Sequence, residues 1–203
     1  VASGDLFDVV QLSDDRVAVI LGDVSGKGVG AAILMAAAQA YLHAALCRHA
    51  SPADAVADLD KYVMARSASN RFLTLWVGVF AADGSLTYVD AGHGYWVHCH
   101  EGGVTVHSAA SSPLVGAIEG VEFEAIRIEL AKCDRVVLMT DGVPEQPNAA
   151  GEQFGLEHIE EVLGRTRSVE EDVQELLAAV RSWAGGDRLS DDTTVASVGT
   201  MIT

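Results

Sequence analysis

FDVVQLSDDRVAVILGDVSGKGVGAAILMAAAQAYLHAALC, residues Phe7 to Cys47, is the stretch on which the fold turns. Its first part holds two β-branched runs, FDVVQL and RVAVILGD, separated by Ser13-Asp14-Asp15. That turn composition predicts a β-hairpin. Gly26 and Gly28 then release the chain into an Ala-rich helix that starts at Val29. The helix is long enough to cross a membrane, but it contains Gln39 and His43 and is mostly alanine, with Lys27 and Arg48 at its polar ends. Small side chains let a helix backbone approach a neighbour closely. A helix buried against a sheet is therefore expected, with no direct membrane insertion.

Outward from this stretch, Ser51-Pro52 reads as an N-cap with proline at the first helical position, opening a second helix to about Ser67. Ala53, Val56, Leu59 and Val63 are spaced for one helical face. The middle of the chain is β-rich: FLTLWVGVF, SLTYVDAGH, YWVHCH and VTVHS are separated by Asp83-Gly84, Gly92-His93-Gly94 and Glu101-Gly102-Gly103. An antiparallel meander is expected there. EFEAIRIEL alternates, and DRVVLMTDG is an apolar run of the kind buried on both faces. Helices are predicted over Leu156–Leu163 and Val169–Trp183, the latter capped by Ser168, before a last strand, DTTVASVGTMI. No repeat or long linker divides the 203 residues, so one domain, 1–203, is expected.

Composition narrows the function. Apolar residues make up 49% and charged residues 21%, which excludes a disordered chain. Thirteen Lys and Arg against 29 Asp and Glu give a net charge of −16, which disfavours nucleic acid and anionic membranes as partners. Cys47, Cys99 and Cys133 form no CxxC pair and are odd in number, so a reducing cytoplasmic setting is expected.

Four aspartate sites stand where strands meet turns: Asp5 in SGDLFD, Asp23 in LGDVSGKG, Asp141 in MTDGV, and Asp191 with Asp192 in SDDTTV. Strands disfavour aspartate, and carboxylates gathered at the end of a buried sheet need neutralising. A divalent cation would do so, since Mg²⁺ and Mn²⁺ take hard oxygen donors. Taken singly, an Asp before Gly is an ordinary turn residue. The conjunction carries the argument.

SGDLFDVV, GDVSGKGVGAAILMA, DAGHG, DRVVLMTDGVPEQPNAAGEQFG and DDTTV follow one another from Ser3 to Val195. In that order they resemble the SpoIIE/RsbU-like branch of the metal-dependent PPM (protein phosphatase 2C-like) serine/threonine phosphatases. The resemblance implies an α+β fold, a four-layer α-β-β-α sandwich of two antiparallel sheets flanked by helices. It also implies two Mn²⁺ or Mg²⁺ ions that bridge a water attacking the phosphorus of phosphoserine or phosphothreonine. Carried over by position, Asp23 is the carboxylate shared by both ions and the Val24 carbonyl is a further ligand. Asp5 ligates one ion, and Asp141 and Asp191 the other. Asp23 and Asp141 are thus the catalytic candidates, and Asp191 is chosen over Asp192 by the family pattern alone.

Physical chemistry is consistent with that chemistry. Two metals lower the pKa of a bridging water and stabilise charge on the phosphoryl oxygens, so no nucleophilic side chain is required. Neither a GxSxG elbow nor a Cys-x5-Arg loop is present. GDVSGKG is no nucleotide P-loop, because three residues rather than four separate its glycines and Gly28 follows the lysine. Lys27 reads as a phosphate contact or a solvated turn lysine, and His93 as a general acid or a structural turn residue. Asp8, three residues after Asp5, points to the opposite strand face and reads as a turn residue or a holder of metal-bound water. His98 and His100 share a strand face, as a zinc pair or, more commonly, as exposed sheet histidines.

The chain departs from the branch in two places. The SGD block stands two residues from Val1, where the family places a strand ahead of it, and no proline follows Gly92-His93. The expectation is the C-terminal part of a longer sensory protein, lacking its first strand. In this branch the usual substrate is a phosphorylated STAS-type anti-sigma-factor antagonist, whose dephosphorylation frees a sigma factor by partner switching. A homodimer is left open. The rival readings are a small-molecule phosphomonoesterase and a catalytically silent phosphatase-like binding module.

Overall fold

The computed structural model describes residues 4–13, 15–26, 28–66, 71–186 and 188–200. They fall into two compact units, Val1–Gly94 with Ala109–Leu130, and Tyr95–Ser108 with Ala131–Thr203.

The first unit is built on strands β1 (Asp5–Gln11), β2 (Val17–Val24), β3 (Leu73–Phe80), β4 (Ser85–Ala91) and β7 (Ile126–Glu129), in the order β1-β2-β3-β4-β7 and antiparallel throughout. The expected hairpin is β1–β2. Helices α1 (Val29–Arg48) and α2 (Pro52–Arg66) belong to this unit. Alternation along the strands puts Leu6, Val10, Ala18 and Ile20 on one face. There they form one core with Met35, Leu42 and Leu46 of α1 and Val56, Leu59 and Val63 of α2. Each fully buried Leu or Val in it contributes about 1.5–3 kcal/mol. As expected, α1 is a helix packed on a sheet, although it is also long and apolar enough to cross a membrane. Its outward side leaves Val29 and Ile33 exposed.

The second unit carries β5 (Trp96–His100), β6 (Gly103–His107), β8 (Arg135–Met139) and β9 (Val195–Gly199), ordered β6-β5-β8-β9 and again antiparallel. Helices α3 (Gly155–Leu163) and α4 (Val169–Ala184) cover it, with Ile159, Leu163, Leu176 and Val180 packed on Val97, Cys99, Val137 and Met139. Ser168 caps α4, its Oγ accepting the Glu171 N–H at 3.2 Å. Asp172 of α4 is fully buried and receives bonds from Arg135 Nε at 2.8 Å and Ser197 Oγ at 2.7 Å, which tie the helix to β8 and β9.

The fold class is thus α+β, with two antiparallel sheets and their helices in pairs. The expected meander is corrected: β3 and β4 lie in one sheet and β5 and β6 in the other. The chain changes sheet at Gly92-His93-Gly94, where the Asp90 carboxylate accepts the N–H groups of His93 at 2.9 Å and Gly94 at 3.0 Å. Those bonds turn the backbone away from β4, whose free side is taken by β7.

Candidate functional site

The hairpin register sets the first pair of acidic residues. Asp5 opens β1 and lies directly opposite Asp23 near the end of β2. Residues facing each other across a ladder project to the same side, with Cβ atoms about 4.5–5.5 Å apart. Gly4 sits against this pair: a Cβ there would fall 2.4 Å from Asp23 Oδ1, so the residue before Asp5 must be glycine for the carboxylate to lie where it does. Val24, the last residue of β2, is buried and donates its N–H to the Gly4 carbonyl at 3.2 Å. Two like charges this close raise each other's cost of ionisation unless a cation or a proton offsets them.

The second pair stands on irregular chain. Asp141 follows β8 and Thr140, and Asp191 and Asp192 precede β9. Thr140 holds the two segments together, its N–H donating to the Thr194 carbonyl at 3.1 Å and its Oγ1 accepting the Thr194 N–H at 3.0 Å. At Gly142 a Cβ would lie 2.1 Å from the Asp192 carbonyl oxygen, so the DG turn and the DD segment touch backbone to backbone. Asp191 Oδ1 accepts the Asp192 N–H at 2.8 Å, and the Asp141 carbonyl accepts the Glu145 N–H at 2.9 Å. Tyr95 Oη lies 3.4 Å from Glu145 Oε1. Burial, and then the negative charges of Glu145 and Asp141, push the Tyr95 phenol up, so it stays protonated and able to donate.

Asp5 and Asp23 therefore belong to the first unit, and Asp141, Asp191 and Asp192 to the second. Among the described residues, no group of three or more His, Cys, Asp or Glu converges as a metal cage. By chemistry the donors fit magnesium or manganese, being carboxylates with a strand-end carbonyl and no thiolate or imidazole among them.

Other residues singled out in the sequence take different places. Asp8 is not a turn residue: it sits within β1, accepts the Val9 N–H at 2.8 Å and lies 3.8 Å from His43 Nδ1 of α1. His98 is not an exposed sheet histidine, because Nε2 lies 2.8 Å from Oδ2 of the buried Asp134. His100 contacts Thr105 Oγ1 at 3.2 Å. His93 is buried in the sheet-switching turn. Lys27 lies outside the described residues.

Two residues that order this region escaped the sequence reading. Asp90 is buried, and burial pushes its carboxyl up against the opposing pull of the Gly94 and His93 N–H groups. An Asp shortly before a Gly-x-Gly turn was its signal. Gln146 is also buried and bonds to Ser190, a long-range pairing that left no mark in the sequence.

A family model, Stage II sporulation protein E (SpoIIE), matches residues 13–200. The chain belongs to the SpoIIE family. Among relatives of this SpoIIE-family chain, phosphoserine phosphatase RsbP of Bacillus subtilis is 26% identical over 159 residues, covering 76% of the chain and 39% of RsbP. The chain thus spans about two fifths of that relative. The solved PP2C phosphatase domain of SpoIIE from Bacillus subtilis, with a fragment of its regulatory domain, superposes with a TM-score of 0.84 at 20% identity. That match covers 98% of this chain and 59% of the solved one. RsbX, solved in complex with magnesium, gives 0.70 at 18% identity, covering 98% and 89%. Both structural matches show the PP2C-like fold in this SpoIIE-family chain.

Proposed function

We propose that this chain is a cytoplasmic, Mn²⁺- or Mg²⁺-dependent protein phosphatase, which hydrolyses phosphoserine or phosphothreonine on a partner protein. The partner proposed is a phosphorylated STAS-type anti-sigma-factor antagonist, and the two compact units are proposed to work as one phosphatase domain. The observation that carries the reading is the register that sets Asp5 opposite Asp23, with Gly4 making room for the Asp23 carboxylate. Family membership and the phosphoserine phosphatase relative support it.

In this reading Asp5, Asp23, the Val24 carbonyl, Asp141 and Asp191 hold two ions. When bound, the ions supply a water acidic enough to be hydroxide near neutrality and positive charge for the phosphoryl oxygens. The chain's own part is to keep these oxygens ionised and aimed. The β-ladder holds Asp5 and Asp23 in register, and Thr140 and the Gly142 contact hold Asp141 and Asp191 on adjoining backbone.

The test is phosphate release from a phosphoserine protein with Mn²⁺ titrated from zero, alongside calorimetric Mn²⁺ binding, for the protein and its Asp23→Asn variant. Turnover that needs Mn²⁺ and falls about 100-fold or more in the variant, with Mn²⁺ binding lost, is expected. No turnover at any Mn²⁺ concentration in the folded protein would overturn it in favour of a silent binding module. Equal rates on a sugar phosphate would overturn the phosphoprotein assignment.

A further inference from the structure

The carboxylate of Asp191 is carried by an exposed, irregular segment, yet one side chain fixes that segment from within the fold. Gln146 is 3% exposed. Its Oε1 accepts both donors of Ser190, the N–H at 2.9 Å and the O–H at 3.1 Å. Its Nε2 donates to the Pro147 carbonyl at 2.8 Å, and its own backbone carbonyl accepts the Phe154 N–H at 2.9 Å. Phe154 is 3% exposed in the core that α3 and α4 form on the sheet of the second unit. The amide is thus held at its nitrogen and at its backbone, and its remaining oxygen is presented to the residue directly before Asp191.

Further ties on the segment lie downstream of Asp191. Thr194 N–H reaches Thr140 Oγ1, and Thr193 Oγ1 lies 3.4 Å from the Gly142 carbonyl. Asp191 is therefore spanned between a clamp at Ser190 and a clamp at Thr193–Thr194. Both are anchored on the turn that carries Asp141, five residues before Gln146. An apolar side chain of similar volume would fill the space of Gln146 and still release Ser190. Filling a gap does not account for a buried amide whose oxygen takes two bonds from one exposed residue; holding that residue does.

We infer that Gln146 is a positioning residue, which sets Asp191 against Asp141 for metal binding by clamping Ser190. The inference rests on the metal-dependent reading of the site and adds to it a residue that touches neither metal nor substrate.

The experiment measures Mn²⁺ affinity by calorimetry, and exchange of the Ser190 amide hydrogen by NMR, in the unaltered protein and in Gln146→Met, Ser190→Ala and the double variant. Gln146→Met is expected to speed Ser190 exchange and weaken Mn²⁺ binding about tenfold or more. Ser190→Ala keeps the N–H bond, so it should weaken binding by less. The double variant should bind no worse than Gln146→Met alone, since both changes remove the same tie. Fast Ser190 exchange with unchanged Mn²⁺ affinity would overturn the inference, as would fully additive losses. If Gln146→Met fails to fold, Ser190→Pro at the exposed position decides, because it removes both donors to Gln146 and unchanged affinity there overturns the clamp. Failure of the unaltered protein to bind Mn²⁺ would overturn the metal-dependent reading itself, and it is seen before any variant is compared.

Discussion

In the first unit Asp5 meets Asp23 through an unbroken ladder that runs from that pair to Gln11 opposite Val17. In the second unit Asp141 and Asp191 lie on loops joined by the Thr140, Gln146 and Gly142 contacts. The two regions hold the same kind of side chain by different physics. A ladder is all or none, since a slip of one residue would turn Asp5 to the helix-covered face and expose Leu6. A loop held by separate bonds can loosen one contact at a time. The second pair should accordingly respond in graded steps where the first fails outright.

The largest effect expected separates the supports of the two units. In the second unit, Asp172→Ala leaves Arg135, itself largely buried, without its carboxylate, a loss of about 3–5 kcal/mol. In the first, where Leu59 of α2 is fully buried in the apolar core, Leu59→Ala should cost about 2–5 kcal/mol. Urea denaturation followed by hydrogen exchange in each unit checks both. A loss from Asp172→Ala below about 1 kcal/mol would show that α4 does not depend on its buried charge.

Next in size are the two close glycines. Gly142→Ala drives a Cβ into the Asp192 carbonyl, a backbone group that cannot swing aside. Gly4→Ala meets the Asp23 carboxylate, a side chain that can. Gly142→Ala should cost about 1–3 kcal/mol. Gly4→Ala should leave stability nearly unchanged while weakening Mn²⁺ binding, as paired melting and calorimetry would show. Equal destabilisation by both would break the contrast.

The smallest effects are on pH dependence, and they run in opposite directions in the two units. Burial raises the Asp90 carboxyl above its ordinary 3.8, so the folded state holds the proton more tightly, and stability falls as pH rises from 3.8 through the folded value. Burial, with His98 nearby, lowers the His107 imidazole below its ordinary 6.5, so stability falls as pH drops below 6.5. Asp90→Asn should flatten the acid-side slope and His107→Gln the slope near neutrality, in melting temperatures recorded against pH. A variant that keeps the slope of the unaltered protein would remove that residue from the account.

Much of this was legible in the chain. SDD between two β-branched runs marked the β1–β2 hairpin, Ser168 marked the α4 cap, and the five motif blocks pointed to the family and fold class. Those features depend on neighbours in sequence, where turn chemistry and side-chain alternation act directly. The meander failed because strand pairing beyond a hairpin is a competition among distant partners. Nothing local to SLTYVDAGH says that β7, some 40 residues on, takes the place beside β4. The alternation rule correctly set Asp8 apart from Asp5, but it could not supply His43 as its neighbour.

The sequence by itself determined which residues could carry the chemistry: aspartates near strand ends, a glycine beside each of Asp5, Asp23 and Asp141, and the order of blocks that marks the SpoIIE family. Only the tertiary structure decided what holds them. Asp5 faces Asp23 because the hairpin has one register, Asp90 turns the chain from one sheet to the other, and Gln146 reaches Ser190 across 44 residues of sequence. A hydrogen bond across such a span arises from packing, which brings together groups that local propensity cannot relate.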